Sequence, residues 1–349
     1  MNEQPAAHRR SAQQSIAFAG FRHFHILDLY AYAEDHSELE IVGAAEGHRE
    51  TADQMAAKGV KLTHGSIDEL FEDSSSYSIV AVGDYYQRRG SIAIRALELG
   101  KHVILDKPIC TDLAELDSIE KLSTQKGLSV GCMLENRDAG QFIALKRLLA
   151  EGTIGTIRTI GFMGHHPLLF GKRAGWYFEE GKHGGTINDI AIHAVDLIPW
   201  LTGLKISKVI AARAWNVRIP QKPHFQTCAQ LMLQLENQAG ILGDVSYLSP
   251  DSQGYSVPQY WRFTVHGDEG AVEVGLKVPD IKLWKNGETT GTSIPADADR
   301  TNGVLDDFLR EIEGNLREID LSTDQVISSS RCVLKVQRSA DTGEFPQDL

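Results

Sequence analysis

The feature that most constrains this chain is a rhythm. From Ser15 to about residue 135, short apolar runs ("SIAFAGF", "LEIVGAAE", "YSIVAVGD", "HVILDKP", "LSVGCML") alternate with amphipathic helical patterns ("HILDLYAYAEDH", "RETADQMAAKG", "RRGSIAIRALELG", "LAELDSIEKLSTQKG"). Continuous apolar strands spaced by helices of about ten to fifteen residues predict a parallel, doubly wound sheet covered on both faces. The reading is therefore α/β, with residues 15–135 as a Rossmann-type domain. Residues 1–14, polar and without periodicity, read as a disordered arm.

Beyond Asn136 the pattern changes to a helix ("GQFIALKRLLAEG"), strand-like "TIRTIGFMGHH", and long alternating stretches such as "KVIAARAWNVRI", "QTCAQLMLQLEN" and "AGILGDVSYL", broken by turn segments. This predicts a second, α+β domain over 136–349 with an open, mostly antiparallel sheet and two late helices. A chain of 349 residues with 42% hydrophobic content can bury two ordinary cores. No run reaches the roughly 18 apolar residues of a membrane helix, so the expected location is the cytoplasm. With 47 acidic against 35 basic residues and a net charge of -12, nucleic acid and anionic membranes have no electrostatic footing. Cys110, Cys132, Cys228 and Cys332 lack metal-knuckle or disulfide spacing; they read as reduced, mostly buried thiols.

Four segments carry candidate chemistry. In "AGFRHFH" only Gly20 survives of a G-x-G-x-x-G turn, whose glycines allow the tight turn, the approach of a pyrophosphate and helix packing. Phe21, Arg22 and His23 follow, and Arg22 offers a guanidinium suited to phosphate. Glu46, at the tip of the second strand, stands where a ribose diol would be bound; its charge favours NAD over NADP, and Arg49 nearby complicates that choice. Asp106, Lys107 and Pro108 close a strand at its carboxyl end, where ligands of doubly wound sheets sit. In "HGGTINDIAIHAVDLIPWLTG", helical periodicity sets Asp189, His193 and Asp196 on one face, so that an imidazole beside a carboxylate could serve as a general base. His165, His166, His183, Asp189 and His193 could be weighed as a metal set, but no HExxH is present and "HH" alternates across a strand; no metal is expected.

The order of these pieces, with "ALELGKHVILDKP", "LKRLLAEGTIGTIRTI" and "VLKVQRSADTGEFP", resembles the glucose-fructose oxidoreductase and inositol dehydrogenase family, Gfo/Idh/MocA, over nearly the whole chain. The resemblance implies a Rossmann domain binding NAD or NADP and a second domain whose open sheet makes dimer or tetramer contacts. It matches Lys107 to the lysine of the family's Glu-Lys-Pro motif, and Asp189 and His193 to its D-x-x-x-H helix. His193 would then deprotonate a sugar, inositol or polyol hydroxyl, Asp189 would orient it, and Lys107 would hold the substrate oxygen. Arg137, His165, Arg173, Trp176 and Tyr177 fall in segments expected to rim the substrate cleft, with His166 and Lys172 beside them.

The chain departs from the family in its degraded glycine turn, in Asp106 for glutamate, and in "VGDYYQRRG", where Tyr85 and Tyr86 replace the segment that flanks the nicotinamide, with Asp84 and Tyr85 expected at the cofactor. Two other readings fit those departures: a non-catalytic ligand sensor with weakened dinucleotide binding, and a redox-neutral enzyme that recycles bound NAD.

Overall fold

The computed structural model describes residues 13–349. The arm expected over 1–14 lies outside these residues except for its end, where Gln13 donates to the Leu39 carbonyl and Gln14 already opens the first strand. The apolar runs and helical patterns become β1 (Gln14–Ala19), α1 (Ile26–Asp35), β2 (Leu39–Ala45), α2 (Arg49–Ala57), α3 (Ile67–Glu72), β3 (Ile79–Val82), α4 (Tyr86–Glu98), β4 (His102–Leu105), α5 (Leu113–Lys126) and β5 (Val130–Cys132). The strands pair in parallel in the order β2-β1-β3-β4-β5. Outside β2 a single parallel bridge, Ala45 with His64, stands in place of a further strand. Every residue of β3 is buried, as expected of a strand covered on both faces. The chain reverses direction across the sheet between β1 and β3. Their carboxyl ends, with that of β4, therefore open onto the crevice where doubly wound folds bind ligands.

The second half adds α6 (Gly140–Ala150), β6 (Ile157–Pro167), a π-helical turn (Ile187–Ala191) running into α7 (Ile192–Thr202), and then β7 (Ile206–Trp215), β8 (Cys228–Leu235) and β9 (Gly240–Ser249). After these come β10 (Arg262–Gly267), β11 (Gly270–Gly275), β12 (Asp280–Lys285), β13 (Thr292–Pro295), α8 (Gly303–Ile312), α9 (Thr323–Thr342) and β14 (Gln347–Asp348). Nine strands form one sheet, β13-β12-β11-β10-β6-β9-β8-β7-β14, antiparallel except where β6 runs parallel to β9. Its inner face packs against α6, α9 and the π turn. The other face exposes Met163, Met232, Leu242 and Leu248.

One late helix leaves this half. Leu305, Phe308 and Leu309 of α8 pack with Ile16, Phe18, Ile79, Ala81 and Ile104 of the first sheet. Gly131 of β5 makes room for them: a Cβ there would stand 2.8 Å from the Phe308 ring.

Candidate active site

Lys107 leaves β4 on a turn clamped by Arg89 of α4. That guanidinium, fully buried, donates to the carbonyls of Asp84, Asp106 and Lys107 at 2.7, 2.8 and 2.6 Å and to Asp106 Oδ2 at 2.8 Å. A planar fork with five donors can fix several carbonyls at once, so the lysine's direction is set by backbone geometry. Lys107 Nζ then meets the π turn, donating to Asp189 Oδ1 at 2.8 Å and to the Asp189 carbonyl at 3.1 Å. An ammonium has three N–H groups; two are spent on Asp189, and the third remains for the crevice.

Asp189 is the hub of this site. Tyr86 donates to its Oδ1 at 2.9 Å, Tyr177 and Tyr247 donate to Oδ2, and His183 Nε2 lies 3.3 Å from Oδ2. Burial by itself raises the carboxyl, but the Lys107 ammonium and the His183 imidazole outweigh it, and the group is held well below the ordinary carboxylate range. The same burial, and the negative charge of Asp189, push Tyr86, Tyr177 and Tyr247 well up, so all three are neutral donors. A carboxylate so supplied is a fixed anion.

The expected pairing of Asp189 with His193 is corrected by this geometry. The π turn interrupts the α-helical spacing on which that pairing rested. Asp189 faces Lys107 and the tyrosines, while the His193 ring packs edgewise on Trp261 with centroids 5.1 Å apart. His193 Nδ1 is buried without a hydrogen-bond partner among the described residues, as is Trp261 Nε1. Burial, then the Lys107 charge, hold the imidazole well below its ordinary pKa, so it is neutral at pH 7. Asp196, expected on the same face, pairs elsewhere.

The turn after β1 has been rebuilt with side chains. Gly20, at φ +85°, sits where a Cβ would meet Asp84 at 3.0 Å. Phe21 turns into the core against Phe18 and Tyr30, while its amide donates to Glu46 Oε2 at 2.7 Å. Glu46 Oε1 accepts from the His48 amide at 2.8 Å, so this carboxylate ties the first two strand ends together. Burial raises its pKa, opposed by those two amides and by Arg22. Arg22 lies over the Tyr85 ring at 5.9 Å, and its carbonyl accepts from Trp176 Nε1 at 2.9 Å. Buried His23 reaches Asp106 and Tyr86. Asp84 accepts from the Tyr85 amide and from Arg88 at 2.7 and 3.0 Å. Arg49 is exposed at the start of α2, beside a shallow cavity with His48 and Asp53.

Of the residues expected to rim the substrate cleft, two are placed differently. Arg137 is only 2% exposed and makes a bidentate pair with Asp196 at 2.7 and 2.6 Å, a link inside the fold. His165 points to the open face of β6, where it meets Ser246 Oγ at 2.8 Å, because strand side chains alternate; its neighbour His166 faces inward, against Tyr247, Tyr260 and Trp261. Arg173 holds the Pro167 and Leu168 carbonyls and covers the Tyr177 ring at 4.8 Å. Trp176 and Tyr177 are buried between the two halves. Sequence reading set Tyr86 beside the nicotinamide rather than on Asp189, and passed over Arg89 and Tyr247 as site residues. The second tyrosine and second arginine of "DYYQRR" and the inward register of "VSYL" are the signals that could have found them.

These donors suit a nicotinamide dinucleotide. The Gly20 turn and Glu46 stand at the ends of β1 and β2, and buried His193 Nδ1 and Trp261 Nε1 have no hydrogen-bond partner among the described residues. Comparison with known proteins agrees. Residues 15–133 match the model of an oxidoreductase family with an NAD-binding Rossmann fold, and residues 142–273 match the Gfo/Idh/MocA C-terminal domain. The chain belongs to the Gfo/Idh/MocA oxidoreductase family, and its first domain is that family's NAD-binding Rossmann fold. It is 28% identical over 297 residues to the uncharacterized oxidoreductase YdgJ of Escherichia coli (strain K12), covering 82% of this chain and 80% of that one. It is 24% identical over 196 residues to scyllo-inositol 2-dehydrogenase (NADP(+)) IolW of Bacillus subtilis (strain 168), covering 54% and 52%. Its fold superposes with a TM-score of 0.81, at 16% identity and 98% coverage of both chains, on an inositol dehydrogenase homologue complexed with NAD+ from Azotobacter vinelandii. No helix of the described residues is long and apolar enough to cross a membrane.

Proposed function

We propose that this protein is a cytoplasmic, homo-oligomeric NAD-dependent dehydrogenase of a sugar, inositol or related polyol. NADP is the second choice of cofactor. The observation that carries the reading is the buried Lys107–Asp189 pair beside the carboxyl end of β4, with neutral His193 within electrostatic range of both. When bound, the nicotinamide supplies the hydride acceptor or donor. Lys107, oriented by Arg89 and Asp189, directs its remaining N–H at the substrate oxygen, a positioning role in which small displacements are costly. His193 takes the hydroxyl proton; its unpartnered Nδ1 is a vacant acceptor in the tautomer that carries hydrogen on Nε2. Asp189 neutralises the lysine and is too fully bonded to act as a base. Arg22 and Glu46 would hold the pyrophosphate and ribose, which requires Glu46 to exchange at least one backbone amide for a ribose hydroxyl. The apolar open face of the nine-stranded sheet supports an oligomer contact.

The test is absorbance at the reduced-nicotinamide band with NAD or NADP and a panel of polyols and aldoses. Turnover that vanishes in Lys107→Ala and His193→Ala supports the assignment. A second reading, a ligand sensor that has lost dinucleotide binding, is favoured by Glu46 being occupied by the backbone and by Lys107 being only 4% exposed. Calorimetry with NADH separates the two, since a sensor gives no saturable heat.

A further inference from the structure

The rebuilt turn brings three metal-ligating groups together. His23 Nδ1 lies 2.5 Å from Asp106 Oδ2, His25 Nδ1 lies 3.5 Å from Asp106 Oδ1, and one ligand atom from each residue falls within 4.8 Å of the other two. Metal bonds of about 2.0–2.2 Å allow ligand atoms up to about 4.4 Å apart, so side-chain rotations of a few tenths of an ångström bring all three onto one ion. The two imidazoles meet edge to face, centroids 4.5 Å apart, so both ring nitrogens converge on the carboxylate.

Two further observations point to a cation there. The first is an under-served oxygen: Asp106 is fully buried, and while Arg89 and His23 hold Oδ2, Oδ1 makes no hydrogen bond of normal length among the described residues and faces His25 Nδ1 at 3.5 Å. A buried carboxylate oxygen left under-served is costly and needs an explanation. Arg89 keeps the group ionised and aimed, and Oδ1 is left for something else. The second is a conflict over hydrogens. If His23 carries its proton on Nδ1, to serve Asp106, then Nε2 competes with Asp189 for the single Tyr86 hydrogen, at 3.1 and 2.9 Å. If Nδ1 is instead a bare ligand, Nε2–H donates to Tyr86 and Tyr86 donates to Asp189, and each hydrogen has one acceptor. An outer hydrogen bond that fixes the tautomer is usual for a metal-bound histidine.

The geometry points to a binding site for one divalent transition-metal ion, of the zinc and cobalt class, formed by His23, His25 and Asp106. Two imidazoles and one carboxylate suit such ions better than calcium or magnesium. Arg89 balances one charge of the site, and further carboxylates lie near it. Glu135 lies within electrostatic range of Asp106 and Asp28, and it lines a cavity of about 690 Å³ with Tyr32, Asp138 and Lys277. His25, 30% exposed, gives the ion a way in. Three protein ligands leave a coordination position for a ligand oxygen. The inference does not rest on the dehydrogenase reading.

The full-length protein, stripped with EDTA and dialysed, is titrated with CoCl2 and followed by visible absorption, with ZnCl2 calorimetry beside it. The expected result is one saturable equivalent with the ligand-field bands of a nitrogen-oxygen site, displaced by Zn2+. His25→Ala should weaken Co2+ binding ten- to a hundredfold. Because His25 is half-buried and makes no core contact comparable to that of His23, this variant is chosen to fold, and its melting curve in EDTA should match the parent. Asp106→Asn should abolish binding. Absence of saturable Co2+ uptake, or uptake unchanged in a folded His25→Ala protein, overturns the inference.

Discussion

Asp106 and Asp189 are two fully buried aspartates a few side chains apart, linked through His23 and Tyr86, and they are finished differently. Both are held well below the ordinary carboxylate range against the pull of burial, one by Arg89 and His23, the other by Lys107 and His183. Asp189 has donors on both oxygens. Asp106 has one oxygen crowded and the other faced by His25 Nδ1 at 3.5 Å, beyond a normal hydrogen bond. A complete set of donors makes a carboxylate part of the scaffold; an incomplete set leaves it waiting for a ligand. The site is thus rigid on the Asp189 side and unfinished on the Asp106 side.

That contrast can be broken or sharpened by mutation. Lys107→Ala should lower turnover a hundredfold to ten-thousandfold, and it should also cost roughly 3 kcal/mol in urea unfolding because Asp189 would lose its buried counter-charge. His193→Ala should match the kinetic loss with a small stability change, since its Nδ1 bonds nothing. Near-parental turnover in both would remove the dehydrogenase assignment. Arg137→Ala should cost about 3–5 kcal/mol by stranding buried Asp196, with KM for the substrate unchanged. A raised KM and intact stability would return Arg137 to the cleft.

A smaller effect is expected at Glu135, whose carboxyl burial first, then Asp28, Asp106 and Asp138, push up to about 7. An acid with a raised native pKa holds its proton longer in the folded state than in the unfolded one. Stability therefore falls as pH rises from the ordinary glutamate value, about 4.5, towards 7. Glu135→Gln should flatten that slope and add about 1–2 kcal/mol at pH 8, allowing for solvent screening of a partly exposed group. Denaturation midpoints across pH 4–8 measure it, and an unchanged slope refutes it. The least change is expected from Arg22→Gly, about tenfold weaker NADH binding. Equal or tighter binding would make Arg22 a bystander or an obstruction.

The fold was legible in the sequence because periodicity records it directly. The apolar runs from "SIAFAGF" to "LSVGCML" became β1 to β5 with ends shifted by a residue or two, and the alternating runs after Asn136 became the large sheet. Lys107 and Asp189 were legible as neighbours of a crevice. What escaped is what spacing does not encode. A helix rule places Asp189 and His193 together at i, i+4, and one π turn undoes it. "HH" gives no sign of which ring faces inward; the register of β6 with β9 decides for His166. Arg137 and Arg89 look like any surface arginines in sequence, because the carboxylate and carbonyls that bury them come from distant segments.

The docking of α8 on the first sheet bears on how the chain is made. That sheet's last strand ends at Cys132, and α1 covers the part of its face around Ile16 and Phe18, but α8, which covers the β5 end, begins at Gly303. At about 5–20 residues per second of synthesis, the β5 end of the face waits roughly 10–30 s for its cover. A fragment ending near residue 135 would carry that end of the face exposed. Cutting this protein at its apparent boundary would yield an aggregating half.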